Sequence, residues 1–247
     1  MELEPQQDVG KHDFRVGAHS DETRRALVSA AIRVVADQGV SGASLRAINV
    51  AAGSRNSSAA HYHFGTKFAV LEAALSAIYA EVWQGQDVLF TALEERAEHG
   101  RPVSSREILE AGYLPFLALL ARPEFGPHSA KFLSRILVES NDELQAVLNR
   151  LVSPMMHRCL ALLKAALPQV PEHTLKLRIF ITVTNVIHGA GDLPTVSNSP
   201  FGDLSGDNPL ALLHTLFDYM TSAVSAPPEP FTPQDEARMA MTLLGGS

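Results

Sequence analysis

Apolar residues return every three to four positions through most of this chain, and that period is helical. Leu27, Ala31, Val34 and Val35 share one face of a helix predicted over 22–38. Gly39 closes it where a left-handed backbone is tolerated. Ser44 caps a second helix whose Leu45, Ile48 and Ala52 point inward. Gly53 makes a turn, and a short polar-faced helix is expected over 57–63. Thr66 then caps a long helix with a stripe of Phe68, Leu71, Leu75, Ile78 and Val82. Helix, tight turn and short helix, followed by a long helix leading away, is the layout of a helix-turn-helix DNA reader joined to a second helical region.

Beyond Glu98 the period is interrupted. Ser104 and Glu107 have capping-box spacing and open a helix over 105–120. A Pro-Glu-Phe-Gly-Pro turn stands at 123–127, with helices expected over 128–138 and 142–166. Pro154 predicts a kink or break in the latter. A strongly apolar helix over 172–190 ends at Gly189, Gly191 and Pro194, which open a polar loop lasting to Gly206. Asn208 and Pro209 read as N-cap and first helical residue of a helix over 209–224. No segment alternates as a strand does, so the fold class is all-α. The expected organisation is an arm at 1–20, a DNA-binding domain at 21–67, an effector-binding and dimerisation domain at 68–226, and a tail from 227 that is either disordered or laid over a partner. The helices at 172–190 and 209–224 carry more apolar surface than one buried stripe needs. Either they are core, or they meet their own copies across a two-fold axis; a homodimer suits a reader of palindromic DNA.

Composition changes this picture little, and charge refines it. The 247 residues, 46% of them hydrophobic, suffice for one sizeable core or for a small domain on a larger one. The chain is acidic overall, with net charge −7. Between Ser20 and Val70, six Lys/Arg (24, 25, 33, 46, 55 and 67) stand against three acids (21, 22 and 37), a local balance of +3. A basic reader on an acidic body fits DNA contact through one face. In the arm, Lys11 and Arg15 either follow DNA or belong to a disordered tail. The single Cys159 excludes an intrachain disulfide and a cysteine-built zinc site. The polar first 20 residues do not form a signal peptide, and no apolar run reaches membrane-spanning length. A cytoplasmic protein without membrane attachment is expected.

Several motifs together resemble the TetR family of bacterial transcriptional regulators. They are Arg25-Ala-Leu-Val-Ser-Ala-Ala-Ile32, Gly39, Ser44-Leu-Arg-Ala-Ile48, Ala52-Gly53, and Tyr62-His-Phe64 followed by Lys67 and Leu71. The resemblance is strongest over 23–75; beyond 76 it extends only to helix number and size. It implies an all-helical homodimer that binds operator DNA through its N-terminal domain and releases it when a small molecule enters the other domain. Two departures stand out. The turn reads Gly53-Ser-Arg-Asn56, with one residue more before Tyr62 than most members have, and Asn49 replaces a usual alanine. The Asn-x-Ser-Ala and Tyr-His-Phe-Gly pattern is similar to the subgroup of repressors of fatty-acid degradation genes.

A major-groove reader needs small residues on its helix, and Ser57, Ser58, Ala59 and Ala60 supply them. Arg55 and Asn56 are candidates for base contact, arginine to guanine and asparagine to adenine. His61 is a candidate for a base edge or a phosphate. The resemblance implies a phosphate contact through the Tyr62 hydroxyl. His63 either touches phosphate or packs at the joint with the fourth helix. Lys67, at that helix's N-terminus, is expected on phosphate, as is Arg46; Ser44 is first a cap. His61 and His63 diverge on a helix and lack a third ligand, so no metal is expected.

Trp83, Phe90, Leu117, Phe132, Met155 and Phe180 are candidate walls of an apolar effector pocket. Tyr113, and the pair Asn185 and His188 on one helix face, are candidates to orient a polar group; core or interface roles stay open for all of them. The inferred effector is hydrophobic or amphipathic, and the subgroup resemblance points to an acyl chain, an acyl-CoA or a lipid-like metabolite. A lipophilic drug controlling an efflux gene is the alternative. Arg135 and Glu139 read as a surface ion pair. No cofactor is implied. No nucleophile elbow, P-loop or dinucleotide fingerprint is present, and Cys159 has no identifiable base. A helical protein-interaction module is the remaining rival.

Overall fold

The computed structural model describes residues 10–122, 126–191, 194–204, 206 and 208–244. Among these lie eleven helices and no strand, only one isolated bridge between Ser199 and Gly202. The N-terminal unit consists of α1 (Gly10–Gly42), α2 (Leu45–Ala51) and α3 (Ala59–Phe64), and α4 (Lys67–Glu98) leads out of it. The larger unit adds α5 (Ser105–Leu120), α6 (Gly126–Glu139), α7 (Asp142–Ala166), α8 (Glu172–Gly191), the single turn α9 (Pro194–Ser197) and α10 (Pro209–Ser225). A last helix, α11 (Pro233–Leu244), ends the described chain.

The caps explain why the elements begin where they do. Ser44 accepts from the Ala47 amide and Thr66 from the Ala69 amide, each at 3.1 Å. Ser104 and Glu107 close a complete capping box, and Asn208 with Pro209 opens α10. These side chains satisfy amides that a helix start leaves unpaired.

Four features depart from the sequence-based expectation. The first helix begins at Gly10 rather than 22, so part of the expected arm is helical; residues 1–9 and the side chains of Lys11 and Arg15 lie outside the described residues. The tail contains α11, so of its two expected states the disordered one does not hold over 233–244. The loop after α8 contains α9. Helix α7 runs unbroken through Pro154, which faces solvent, so water can take the carbonyl that lost its amide partner. Of the turn at 123–127, residues 123–125 are outside the described residues, and α6 already starts at Gly126.

One apolar core joins the two units. It runs from Leu27, Val35 and Ile48 through Leu75 and Ile78 of α4 to Ile108, Phe132 and Leu163. Helix α6 packs along α1 on one side and α8 on the other, while α4 packs on α5 and α7. The α4–α5 approach is close because Gly85 has no side chain. A Cβ there would sit 2.9 Å from the Cβ of Pro115, inside α5. Arg158 of α7 reaches across to Glu94, Asp87 and Thr91 of α4 and covers the Phe90 ring.

Candidate nucleic-acid interface and ligand cavity

The turn between α2 and α3 is held by a buried asparagine. Asn49 is 3% exposed, and its Nδ2 donates to the Ser57 carbonyl at 2.6 Å. Its Oδ1 accepts from the Ala60 amide at 2.8 Å. Ser58, the N-cap of α3, makes no side-chain cap bond. Asn49 therefore supplies from α2 the acceptor that α3's own first residues do not. This is the physical use of an asparagine where an alanine is usual: it braces a turn with one residue more. Sequence reasoning noticed the residue and missed its role. Gly53, at φ +66°, turns the chain in a conformation that favours glycine.

The short helix presents a polar surface. Arg55, Asn56, Ser57, Ser58, His61 and Tyr62 are exposed, Tyr62 to 82%. Arg55, Asn56, Tyr62 and His63 also line one groove beside α1. Asn56 is partly occupied: its Oδ1 accepts from the Ser58 amide at 2.9 Å, as an Asx turn does. His61 Nδ1 lies 2.8 Å from the Gly65 carbonyl, and the His63 ring meets the Tyr62 ring edge-on. Ser44 and Arg46 are exposed at the start of α2.

The basic excess of this unit has a second use. Arg24 donates to the His63 carbonyl and stacks its guanidinium 4.5 Å from the centroid of the Phe64 ring. Arg33 donates to the Ala51 carbonyl, and the Lys67 ammonium to the Val40 carbonyl. One cation thus satisfies a carbonyl at the end of each of the first three helices, where the dipole is negative. Lys67, expected on phosphate, has its ammonium drawn into this joint. Arg46 and Arg55 make no such bond among the described residues and stay outward.

Between α4, α5, α6, α7 and α8 lies a cavity of about 310 Å³. Of the candidate effector residues, Trp83, Tyr113, Met155 and Phe180 line it. The others do not come to it. Phe90 and Phe132 are sealed in the core, because each sits on a helix face turned toward packed neighbours. Leu117 packs against the same core from its edge. Asn185 is exposed on α8, and His188 Nδ1 lies 2.6 Å from Ser134 Oγ of α6. Sharing a helix face did not bring that pair to one site. Tyr79, Gln86 and Val183, which sequence reasoning did not select for the pocket, also line it. Burial raises both the Tyr79 and Tyr113 phenol pKa values, so both hold their protons. The Cys159 thiol, pushed up to about 12 by burial, is inert.

Residues 110–223, the part of the chain that builds most of this cavity, match the family described as tetracyclin repressor-like, C-terminal domain. That match covers less than half of the chain, and it assigns this stretch alone to the family. Several solved structures have a similar fold. A TetR family transcription regulator from Marinobacter aquaeolei VT8 is 18% identical, with TM-score 0.58, over 84% of this chain and 97% of that one. The fatty acid degradation regulator FadR from Bacillus halodurans is 20% identical, with TM-score 0.54, over 81% and 94%. The transcriptional regulator FadR from Bacillus subtilis, solved in complex with stearoyl-CoA, is 17% identical, with TM-score 0.50, over 81% and 98%. At these identities the likeness is one of fold. No curated protein matches the chain.

The candidate interface and the cavity are joined through one helix. Helix α6 contributes Leu133 and Leu137 to the cavity. Two residues beyond Leu137, Glu139 Oε2 accepts from the Val40 amide at 2.7 Å, while its other oxygen takes Arg135 at 2.7 Å. The pair is therefore a clamp on the end of α1 as well as the surface ion pair expected from its spacing. The Val40 amide and Arg135 hold the Glu139 carboxyl below its ordinary range. Gly39 leaves room for that carboxylate; a Cβ there would lie 2.6 Å from Oε2. Helix α8 exposes Leu177, Ile181 and the cavity-lining Phe180, and α10 exposes Leu210, Leu212 and Tyr219. No helix among the described residues is long and apolar enough to cross a membrane.

Proposed function

We propose that this chain is a TetR-family transcriptional regulator that binds a palindromic operator as a homodimer, represses transcription there, and releases the DNA when a hydrophobic molecule fills the cavity between α4 and α8. The observation that carries this reading is the double use of α6, which walls the cavity and clamps the end of α1. A ligand that shifts α6 changes the placement of the helix-turn-helix unit, and linkage makes ligand and DNA compete. Arg55, Asn56 and His61 are the residues assigned to base edges, and Tyr62 and Arg46 to phosphates. The apolar outer faces of α8 and α10 are assigned to the two-fold interface, since surface of that kind is rare on a monomer. The stearoyl-CoA bound by a protein of similar fold favours a lipid-like effector as a second, narrower reading.

The test is retention of duplex fragments from around the gene, against a shuffled duplex at fixed salt, with wild type and Tyr62→Ala. Selective retention by wild type that Tyr62→Ala abolishes supports the regulator. If neither those fragments nor a genome-wide duplex selection yields a preferred sequence, DNA binding is wrong and the interaction-module reading takes its place.

A further inference from the structure

The cavity is more particular than an apolar hole. Its uncharged polar lining residues are Tyr79, Tyr113, Gln86, Thr184 and the exposed Asn149, and the Thr184 hydroxyl is already spent on the Phe180 carbonyl at 2.9 Å. Gln86 and Tyr113 are each 9% exposed. Gln86 spends its Nε2 on the Gly112 carbonyl at 2.7 Å, which leaves Oε1 as an acceptor. Neither phenol hydroxyl has a hydrogen-bond partner among the described residues. Among those residues the side-chain polar atom sealed in packed surroundings without a partner is Thr221 Oγ1. The two hydroxyls therefore open onto the cavity, where they present O–H donors with nothing to receive them. A buried donor without a partner is costly, so these groups are built to meet a ligand atom or water.

The charges around the cavity are at its rim and already engaged. Lys176 Nζ pairs with Glu172 at 2.7 Å and is largely exposed. His157 is exposed, with Nδ1 2.7 Å from the Ser153 carbonyl. Among the described residues no other lysine, arginine or histidine lines the space. A carboxylate or phosphate carried inside would meet no cation, and burying such a charge unpaired is strongly unfavourable. The volume of about 310 Å³ also lies at the low end for small-molecule sites, roughly 300–1,000 Å³.

We infer that the cavity takes a compact, uncharged, mainly apolar molecule with one acceptor oxygen, of the ketone, ester or lactone class, and that Tyr79 and Tyr113 donate to that oxygen. This rests on the reading of the cavity as the effector site. Val183, Met155 and Ile187 in the walls supply apolar contact.

Trp83 is the chain's single tryptophan and stands in the cavity wall, so its fluorescence reports occupancy. The full chain is titrated with 2-undecanone, n-undecane, decanoate and stearoyl-CoA, in wild type and in Tyr79→Phe, Tyr113→Phe and the double variant. The expected result is saturable binding of the ketone ahead of the other three. Removing either hydroxyl should weaken ketone binding about fivefold to tenfold, with the alkane response unchanged as the check that the cavity is intact. Tighter binding of decanoate or stearoyl-CoA, ketone binding indifferent to both hydroxyls, or no response to any probe overturns the inference. Tyrosine-dependent ketone binding that leaves operator binding untouched upholds it and instead defeats the effector reading.

Discussion

Replacing Asn49 by alanine should loosen the recognition helix without touching its DNA-facing surface. The substitution removes two hydrogen bonds, of 2.6 Å and 2.8 Å. The Ala60 amide is the costlier loss, because Ala60 is wholly buried and its donor finds no other partner. An unpaired buried donor costs about 1–3 kcal/mol. The Ser57 carbonyl belongs to an exposed residue and can return to water, so its loss is nearer about 1 kcal/mol. Together the variant should lose about 2–4 kcal/mol, at or above the upper end for a helix cap. Urea unfolding followed by circular dichroism measures the loss, and hydrogen exchange at the Ala60 amide localises it. Duplex binding should weaken as well, since α3 would no longer be held against α2. Asn49→Asp separates the two bonds. A carboxylate still accepts from Ala60 but faces the Ser57 carbonyl without a proton. That destabilises the folded state while the group is charged, so its folded pKa rises. Stability should then recover as pH falls through that raised value, where the acid can donate. If Asn49→Ala stays within about 0.5 kcal/mol of wild type, the range of an ordinary surface change, with Ala60 still protected, the brace does not exist.

Three further outcomes follow from the geometry. Arg55→Ala and Arg46→Ala should change stability by no more than about 0.5 kcal/mol, both being exposed and unpaired, yet weaken duplex binding. Where the arginine holds a phosphate, its removal also flattens the salt dependence by about one unit of slope; binding unchanged at every salt concentration takes that residue out of the interface. Phe180→Glu with Ile181→Lys should yield a folded monomer in sedimentation at micromolar concentration, since both side chains project from α8; a dimer that persists places the two-fold contact elsewhere. Glu139, with its carboxyl held below the ordinary range, stabilises the α1–α6 joint above the unfolded glutamate pKa, and that contribution is lost as pH falls through the lowered folded value. Glu139→Gln keeps an acceptor for Val40 and should flatten this part of the acid limb in pH-dependent thermal melts; an unchanged limb means the clamp adds nothing.

Much of the secondary structure was legible because its causes are local. Ser44, Thr66, the Ser104–Glu107 box and Asn208 with Pro209 act within one helical turn, and the apolar period over 68–82 needs no partner to be seen. The errors came where a local rule lacked its context. Pro154 promised a kink or a break; the helix does not break there, because a solvent-facing proline leaves its orphaned carbonyl to water. The basic excess of residues 20–70 was read only as suited to DNA contact, yet three of those cations also reach helix ends distant in sequence: Arg24 to His63, Arg33 to Ala51 and Lys67 to Val40.

By itself the sequence determined the all-helical class, the helix-turn-helix in its place, the family resemblance and the exposed chemistry of α3, because period, caps and turn residues are properties of neighbours along the chain. Only the tertiary structure decided which apolar residues wall a cavity and which are sealed. Phe90 and Tyr113 look alike as bulky residues on helices, yet one lies beneath Arg158 and the other opens an unpartnered hydroxyl onto empty space. The same is true of Asn49 and Glu139, whose partners lie on other elements. Burial and hydrogen bonding across elements depend on how helices far apart in sequence pack, and no local pattern carries that information.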